Sequence, residues 1–235
     1  MRGIALHIEG LKTKGVSLIG DACTRFSKSV QGVAAIAKML DMQCIVGYPR
    51  TKELPPQIAK AQELGAELYP VPPGRTRIIY YMTRKYVQSK NGTMLPFYLA
   101  CPETTSAVAK EAATVSDKLL TGTLVICIGS GTILSGVLLG LAQLPRTFAI
   151  SSGMSWQHQR DNLYKLLMLN GCSYDRQAAI GNQLTVVPPL MPYEQVCEIE
   201  TLFPSSPTYD KKAWLWLTQN VHNLKEPILF WNIGA

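Results

Sequence analysis

The chain has 235 residues, 47% of them hydrophobic, which is enough for one large core or two smaller ones and too apolar along its length for wholesale disorder. Its formal charge of +7 suits contact with phosphate groups or nucleic acid, although the basic residues are scattered rather than massed in one block. No stretch offers the roughly 20 apolar residues of a membrane span: the nearest, 119–144, is broken by glycines and serines, and the N-terminus, with His7 and Glu9 close behind Arg2, does not read as a secretion signal.

In chain order the apolar periodicity alternates between helix and strand. Ile4, Leu6, Ile8 and Leu11 suggest a helix ending near Gly15, followed by a strand over 16–19 and a turn at Gly20 and Asp21. Val30, Val33, Ala34, Ala37 and Leu40 carry a helix over 27–40, and 43–46 reads as a strand ending at the Tyr48-Pro49 turn. A helix over 55–64 stops at Gly65. A strand over 68–71, a polar helix over 76–88, a strand over 95–99 and a helix over 104–119 follow. The β-branched run 123–128 suits a parallel strand buried on both faces. Beyond it come a helix over 134–141, a strand over 148–151, a helix over 157–169, a strand over 184–187, a helix over 210–220 and a strand over 228–231. The alternation predicts an α/β protein with two open parallel sheets and crossover helices: a smaller domain over 1–105 and a larger one over 106–235.

Side-chain chemistry concentrates after the strand at 123–128. Gly129, Ser130, Gly131, Thr132, Ser135 and Gly136 form a strand-to-helix turn in which glycines let the backbone approach an anion and a helix N-terminus offers unpaired amides. The alternative is a tight turn that binds nothing. The Gly-Lys-Ser/Thr of a nucleotide loop is absent, and so is a clean dinucleotide fingerprint. The six cysteines show no metal spacing and read as buried free thiols of a reducing compartment. His7, His158 and His222 stand far apart, so no metal is expected. Tyr80, Tyr81 and Tyr86, interleaved with Arg77, Arg84 and Lys85, read either as a stacking and phosphate surface or as a solvated amphipathic helix.

The sequence resembles the fold-type II pyridoxal-phosphate enzymes, the tryptophan synthase β-like superfamily, in particular the branch of aminocyclopropane-carboxylate deaminase and D-cysteine desulfhydrase. The resemblance rests on Ser17-Leu18-Ile19-Gly20 with the helix and strand after it, on the glycine loop, on Pro207-Thr208-Tyr209-Asp210-Lys211-Lys212-Ala213, and on Leu229-Phe230-Trp231-Asn232-Ile233-Gly234. It implies a cofactor cleft between the two domains, with pyridoxal 5'-phosphate held by Gly129, Ser130, Gly131, Thr132, Ser135, Gly136, Arg25 and Asp210. Asp210 would face the pyridine nitrogen, and Tyr209 would act near the substrate. Thr24, Phe26 and Ser27 would contact the substrate. Read without the resemblance, Asp210 is a helix cap and Tyr209 a core aromatic.

Three departures stand out. Arg25 replaces an asparagine, and Asn232-Ile233 replaces a His-Thr pair. The family's Schiff-base lysine precedes an x-Arg that Met1-Arg2 matches, which places it immediately ahead of Met1. That implies a shortened form, a late start or loss of the lysine; Lys12 and Lys14 are the nearest alternatives, and both also read as solvated residues at a helix end. The implied activity is that of a lyase acting at the α-carbon of an amino-acid-type substrate: deamination, elimination or decarboxylation. Two alternatives are a bacteriophage DNA-hypermodification enzyme that decarboxylates an amino acid attached to thymine, and a non-catalytic relative binding cofactor or a partner. The expected setting is a cytoplasmic homodimer, with a small substrate or modified DNA as partner and no membrane.

Overall fold

The computed structural model describes residues 2–24, 26–153 and 155–234, without the side chain of Arg2. The chain divides into two compact units, Met1–Thr104 and Thr105–Ala235.

In the first unit, α1 (Arg2–Thr13) buries Ile4 and Ile8, one turn apart on one face, and ends before Gly15, whose φ of +83° reverses the chain. Strands β1 (Leu18–Ala22), β2 (Gln43–Pro49), β3 (Glu67–Val71) and β4 (Thr93–Met94) form a parallel sheet in the order β3-β2-β1-β4. Ile19 pairs with Cys44 and Asp21 with Val46. Side chains alternate across it. Ile19, Cys44 and Val46 face α1, α2 (Ser29–Met39) and α3 (Pro56–Glu63), while Leu18 and Ile45 face α4 (Thr76–Ser89). α4 buries Ile79, Thr83 and Val87 at four-residue spacing. It lies so close to the sheet that a Cβ on Gly47 would fall 1.7 Å from Thr83 Oγ1, and one on Gly20 2.4 Å from Val87 Cγ2.

In the second unit, β5 (Thr123–Ile128), β6 (Arg146–Ser151), β7 (Leu184–Val187) and β8 (Ile228–Trp231) repeat the pattern as β7-β6-β5-β8, all parallel. Leu124, Ile126 and Ile128 pack with α5 (Pro102–Ala112), α6 (Thr132–Gly140), α7 (Trp156–Leu169) and α8 (Tyr174–Gln183). Val125 and Cys127 point the other way, onto Ala213, Trp216 and Leu217 of α9 (Asp210–Asn220). β5 is therefore buried along its whole length, as its unbroken apolar run requires.

The expected α/β architecture of two parallel sheets is present, with local differences. Gly20 and Asp21 lie inside β1 rather than in a turn, because α4 needs the missing Cβ and because Asp21 is held by hydrogen bonds. The expected strand at 95–99 is displaced: β4 is Thr93–Met94, and Phe97–Leu99 is a 3-10 turn with Tyr98 and Leu99 at positive φ. The helix expected to reach 119 stops at Ala112, where Thr114 and Val115 close it with three-residue backbone bonds. α8 was not anticipated, since only its Ile180 is buried; Ser173 caps it by accepting from the Arg176 amide. No helix among the described residues is long and apolar enough to cross a membrane.

Candidate functional site

Each sheet reverses its winding beside its first strand. In such folds ligands bind outside the carboxyl ends of the strands at that switch point. In the second unit this is where β5 and β8 end, and the glycine loop and Asn232-Ile233 follow those ends directly.

Gly131 caps α6 at φ +91°, and a Cβ there would lie 2.8 Å from the Gln159 carbonyl. α7 braces the loop. Gln159 Nε2 donates to the carbonyls of Ile128 (3.1 Å) and Gly129 (2.9 Å) and to Ser151 Oγ (3.2 Å), and Asn162 Nδ2 donates to the Ser130 carbonyl (2.7 Å). A trans peptide points its N–H opposite its C=O. Drawing the Gly129 and Ser130 carbonyls into α7 therefore turns the Ser130 and Gly131 amides the other way. Among the described residues no backbone carbonyl accepts from the amides of Ser130, Gly131 or Ile133. Ser130 Oγ and Thr132 Oγ1 lie 3.0 Å apart beside them. Ser152 Oγ is buried without a hydrogen-bond partner among the described residues, 3.9 Å from where a Gly129 Cβ would stand. Orphan amides at a helix start, paired hydroxyls and an unused buried hydroxyl form a donor set that fits a phosphate group.

Not every residue of the loop offers a donor. Ser135 Oγ, fully buried, donates to the Thr132 carbonyl at 2.7 Å. Gly136 sits one turn into α6 against Val108 and the Thr105 carbonyl, where it lets two helices approach.

Tyr209 lays its ring against Gly129, with Cε1 3.5 Å from a built Cβ, and its hydroxyl lies 2.6 Å from that of Tyr193. Asp210 opens α9, is 1% exposed, and accepts from the Ile233 amide at 3.4 Å. Burial pushes the Cys127 thiol well up, and the nearby Asp210 carboxylate raises it further. Lys212 is the only buried lysine among the described residues. Its ammonium donates to the carbonyls of Pro192 (2.8 Å), Tyr193 (3.0 Å) and Ser152 (3.5 Å), tying the Tyr193 segment to the end of β6. Burial lowers its pKa, against the opposing pull of Cys127, Cys197 and Glu194. Asn232 is bound to Ser205 Oγ and the Pro204 carbonyl, so it acts as a brace.

In the first unit, Thr24, Phe26 and Ser27 follow the end of β1; Arg25 lies outside the described residues. Ser27 Oγ is 3.0 Å from Ser29 Oγ, which donates to Asp21 Oδ2 at 3.0 Å, and the Ala22 amide donates to Oδ1. Asp21 is 2% exposed; burial raises its pKa from 3.8 to about 6, against the pull of the Ser29 and Ala22 hydrogen bonds. Lys12 is bonded to the Leu40 carbonyl, at the C-terminal end of α2 and about 15 Å of helix away from its Ser29 end. Lys14 is exposed beside it. His7 pairs with Glu103 at 3.2 Å, and with Cys101 their ligand atoms lie within 4.8 Å of one another, a grouping that distant segments hid from sequence spacing.

The structure thus gathers Gly129, Ser130, Gly131, Thr132, Tyr209 and Asp210 in one unit, and Thr24, Phe26 and Ser27 with Asp21 in the other. Sequence reasoning missed Gln159, Asn162, Ser152, Tyr193 and Asp21. Only the Gln159-x-x-Asn162 spacing, two amides on one helix face, could have signalled any of them.

No described family model matches the chain. It is 32% identical over 253 residues to a glycyl-dTMP PLP-dependent decarboxylase of Pseudomonas phage M6, covering 100% of this chain and 87% of that protein. Among solved structures it resembles an ACC deaminase homologue (TM-score 0.79, 18% identity, 94% of this chain and 75% of that one). It also resembles a hydrogen sulfide-producing enzyme from Fusobacterium nucleatum (TM-score 0.71, 14% identity, 99% and 84%). Shared sequence over the whole chain, on a backbone with this fold, leads to one assignment: the chain belongs to the fold-type II pyridoxal-phosphate-dependent enzymes.

Proposed function

We propose that this protein is a pyridoxal-phosphate-dependent decarboxylase whose substrate is a glycyl group carried on a thymidylate base. The single observation that supports this most is the full-length similarity to the phage decarboxylase, and the donor set after β5 supplies a place for the cofactor's phosphate. When bound, the cofactor supplies an electron sink for the bond broken at the substrate's α-carbon. The amides of Ser130, Gly131 and Ile133, with the Ser130 and Thr132 hydroxyls, bind the phosphate. Asp210 holds a proton at the pyridine nitrogen. Tyr209 lays its ring against Gly129, and its hydroxyl, hydrogen-bonded to Tyr193, returns a proton to the product. Thr24, Phe26 and Ser27 bind the substrate. The reading includes a homodimer, which light scattering tests.

The experiment is to load purified protein with the cofactor, record its absorbance band and the band's loss on borohydride, and follow carbon dioxide and amine release from glycyl-thymidylate by mass spectrometry. Peptide mapping after reduction identifies the lysine that carries the cofactor. Gly131→Ala, strained at positive φ and pressed on the Gln159 carbonyl, is expected to weaken cofactor binding at least tenfold. A bound cofactor with no carbon dioxide release would leave the fold assignment and remove the decarboxylase. No reducible band would favour the non-catalytic alternative.

A further inference from the structure

The +7 charge is unevenly distributed. Residues 1–104 hold 14 lysines and arginines against 7 acidic residues, whereas residues 105–235 hold 9 of each, so the whole net charge lies in the first unit. Within that unit one element concentrates it. α4 contains no acidic residue. Its inner face, Ile79, Thr83 and Val87, is pinned to the sheet through Gly20 and Gly47, which makes the helix a rigid platform. Its outer face carries Arg77, Tyr81, Arg84 and Lys85, all exposed, with Arg75 exposed at the N-cap.

Most of this charge is not balanced locally. Among the described residues Arg75, Arg84 and Lys85 form no ion pair; the acidic partner near the helix end, Glu67, is taken by Lys90 at 2.8 Å. Lys85 Nζ lies 4.7 Å over the Tyr81 ring, and Tyr81 is 55% exposed. Tyr80 and Tyr86 turn inward, to the Leu95 carbonyl and onto Tyr69, which leaves Tyr81 as the outward aromatic of the three. From Arg75 to Lys85 the stripe runs about 15 Å at 1.5 Å per residue. A single nucleotide presents one phosphate and cannot engage such a stripe, whereas duplex DNA presents one charge per about 1.7 Å of its axis.

We infer that the outward face of α4 is a docking surface for the DNA backbone, so that the enzyme meets its thymidylate within a DNA strand. The choice of DNA as the polyanion rests on the proposed thymidylate substrate; the surface itself rests on the charge distribution. The three cations Arg77, Arg84 and Lys85 contact phosphates, and Tyr81 packs against a sugar or base.

The test uses the full chain and an unmodified fluorescent 20-base-pair duplex, with anisotropy measured between 50 and 300 mM salt. The triple variant Arg77→Gln/Arg84→Gln/Lys85→Gln is expected to bind at least tenfold more weakly at 100 mM salt. Its slope of log affinity against log salt should fall by roughly 2–3. Its melting temperature should not move, because the three side chains are exposed. An equal charge change elsewhere in the first unit, Lys14→Gln/Lys38→Gln/Lys52→Gln, should cost less than threefold. Equal losses in the two triples, or binding insensitive to salt, would overturn the surface. So would vesicles of anionic phospholipid bound through the same residues while DNA is not. Carbon dioxide release from free glycyl-thymidylate separates the two proposals. If the α4 variant keeps that activity but loses it on modified DNA, the surface is supported. If wild-type protein shows α4-dependent DNA binding and no decarboxylation of either substrate, the surface stands and the substrate reading fails. If decarboxylation proceeds on DNA equally in both proteins, the reading stands and the surface fails.

Discussion

Asp21 shows how one residue sets a measurable property. Its carboxylate is buried at the end of β1 with two hydrogen-bond donors for company and, among the described residues, no cation in an ion pair with it. Desolvation dominates, and its pKa rises from 3.8 to about 6. Between those values the folded protein keeps a proton that the unfolded chain has released, so stability falls as pH rises through that window and stays lower above it. A shift of this size corresponds to roughly 3 kcal/mol. Asp21→Asn should therefore be more stable than the parent at pH 8, by about 1–3 kcal/mol after allowing for an altered bond to Ser29. That advantage should shrink towards zero at pH 4. Urea denaturation of both proteins across pH 4 to 8 measures it, and a constant difference across the range would refute the assignment.

At the scale of elements, two glycines decide where a helix can lie. Gly47 and Gly20 sit in neighbouring strands, and Thr83 and Val87 of α4 fill the space their side chains would take. Gly47→Ala would place its Cβ within 2.6 Å of three Thr83 side-chain atoms and push α4 off the sheet. The expected loss is about 3 kcal/mol, with Thr83→Ala in the same chain recovering part of it as two of those atoms disappear. Additive losses in that double-mutant cycle would show that the two positions do not meet. In sequence, Gly20 reads as a turn and Gly47 carries no signal of its own. The helix and the strands were each legible from periodicity, but the reason for the glycines lies on a partner element. The same holds for α7: its pattern predicted a helix, while the bracing of the phosphate loop by Gln159 and Asn162 depends on which face meets β5.

At the scale of the molecule, both units use one plan, a four-stranded parallel sheet whose winding reverses beside its first strand, and each has candidate site residues at that reversal. All six cysteines are free, five of them buried, with Cys172 half-buried. Burial pushes Cys44 up to about 12 and Cys23 and Cys127 well up. One thiol per native chain should react readily with Ellman's reagent and all six after unfolding, and strong reductant should leave the melting temperature unchanged. Fast reaction of several native thiols would contradict the packing described.

The sequence by itself determined the alternation of strands and helices, the buried character of β5, the glycine loop at its end and the family resemblance, because each is written in local spacing and residue type. Only the tertiary structure decided that Asp21 and Asp210 are buried, that Ser135 and Gly136 serve helix packing rather than the loop's open side, and that Tyr193 reaches Tyr209. Hydrogen-bond partners and desolvation depend on residues distant in the chain. A spacing rule sees one segment at a time, whereas burial is a property of everything that packs around it.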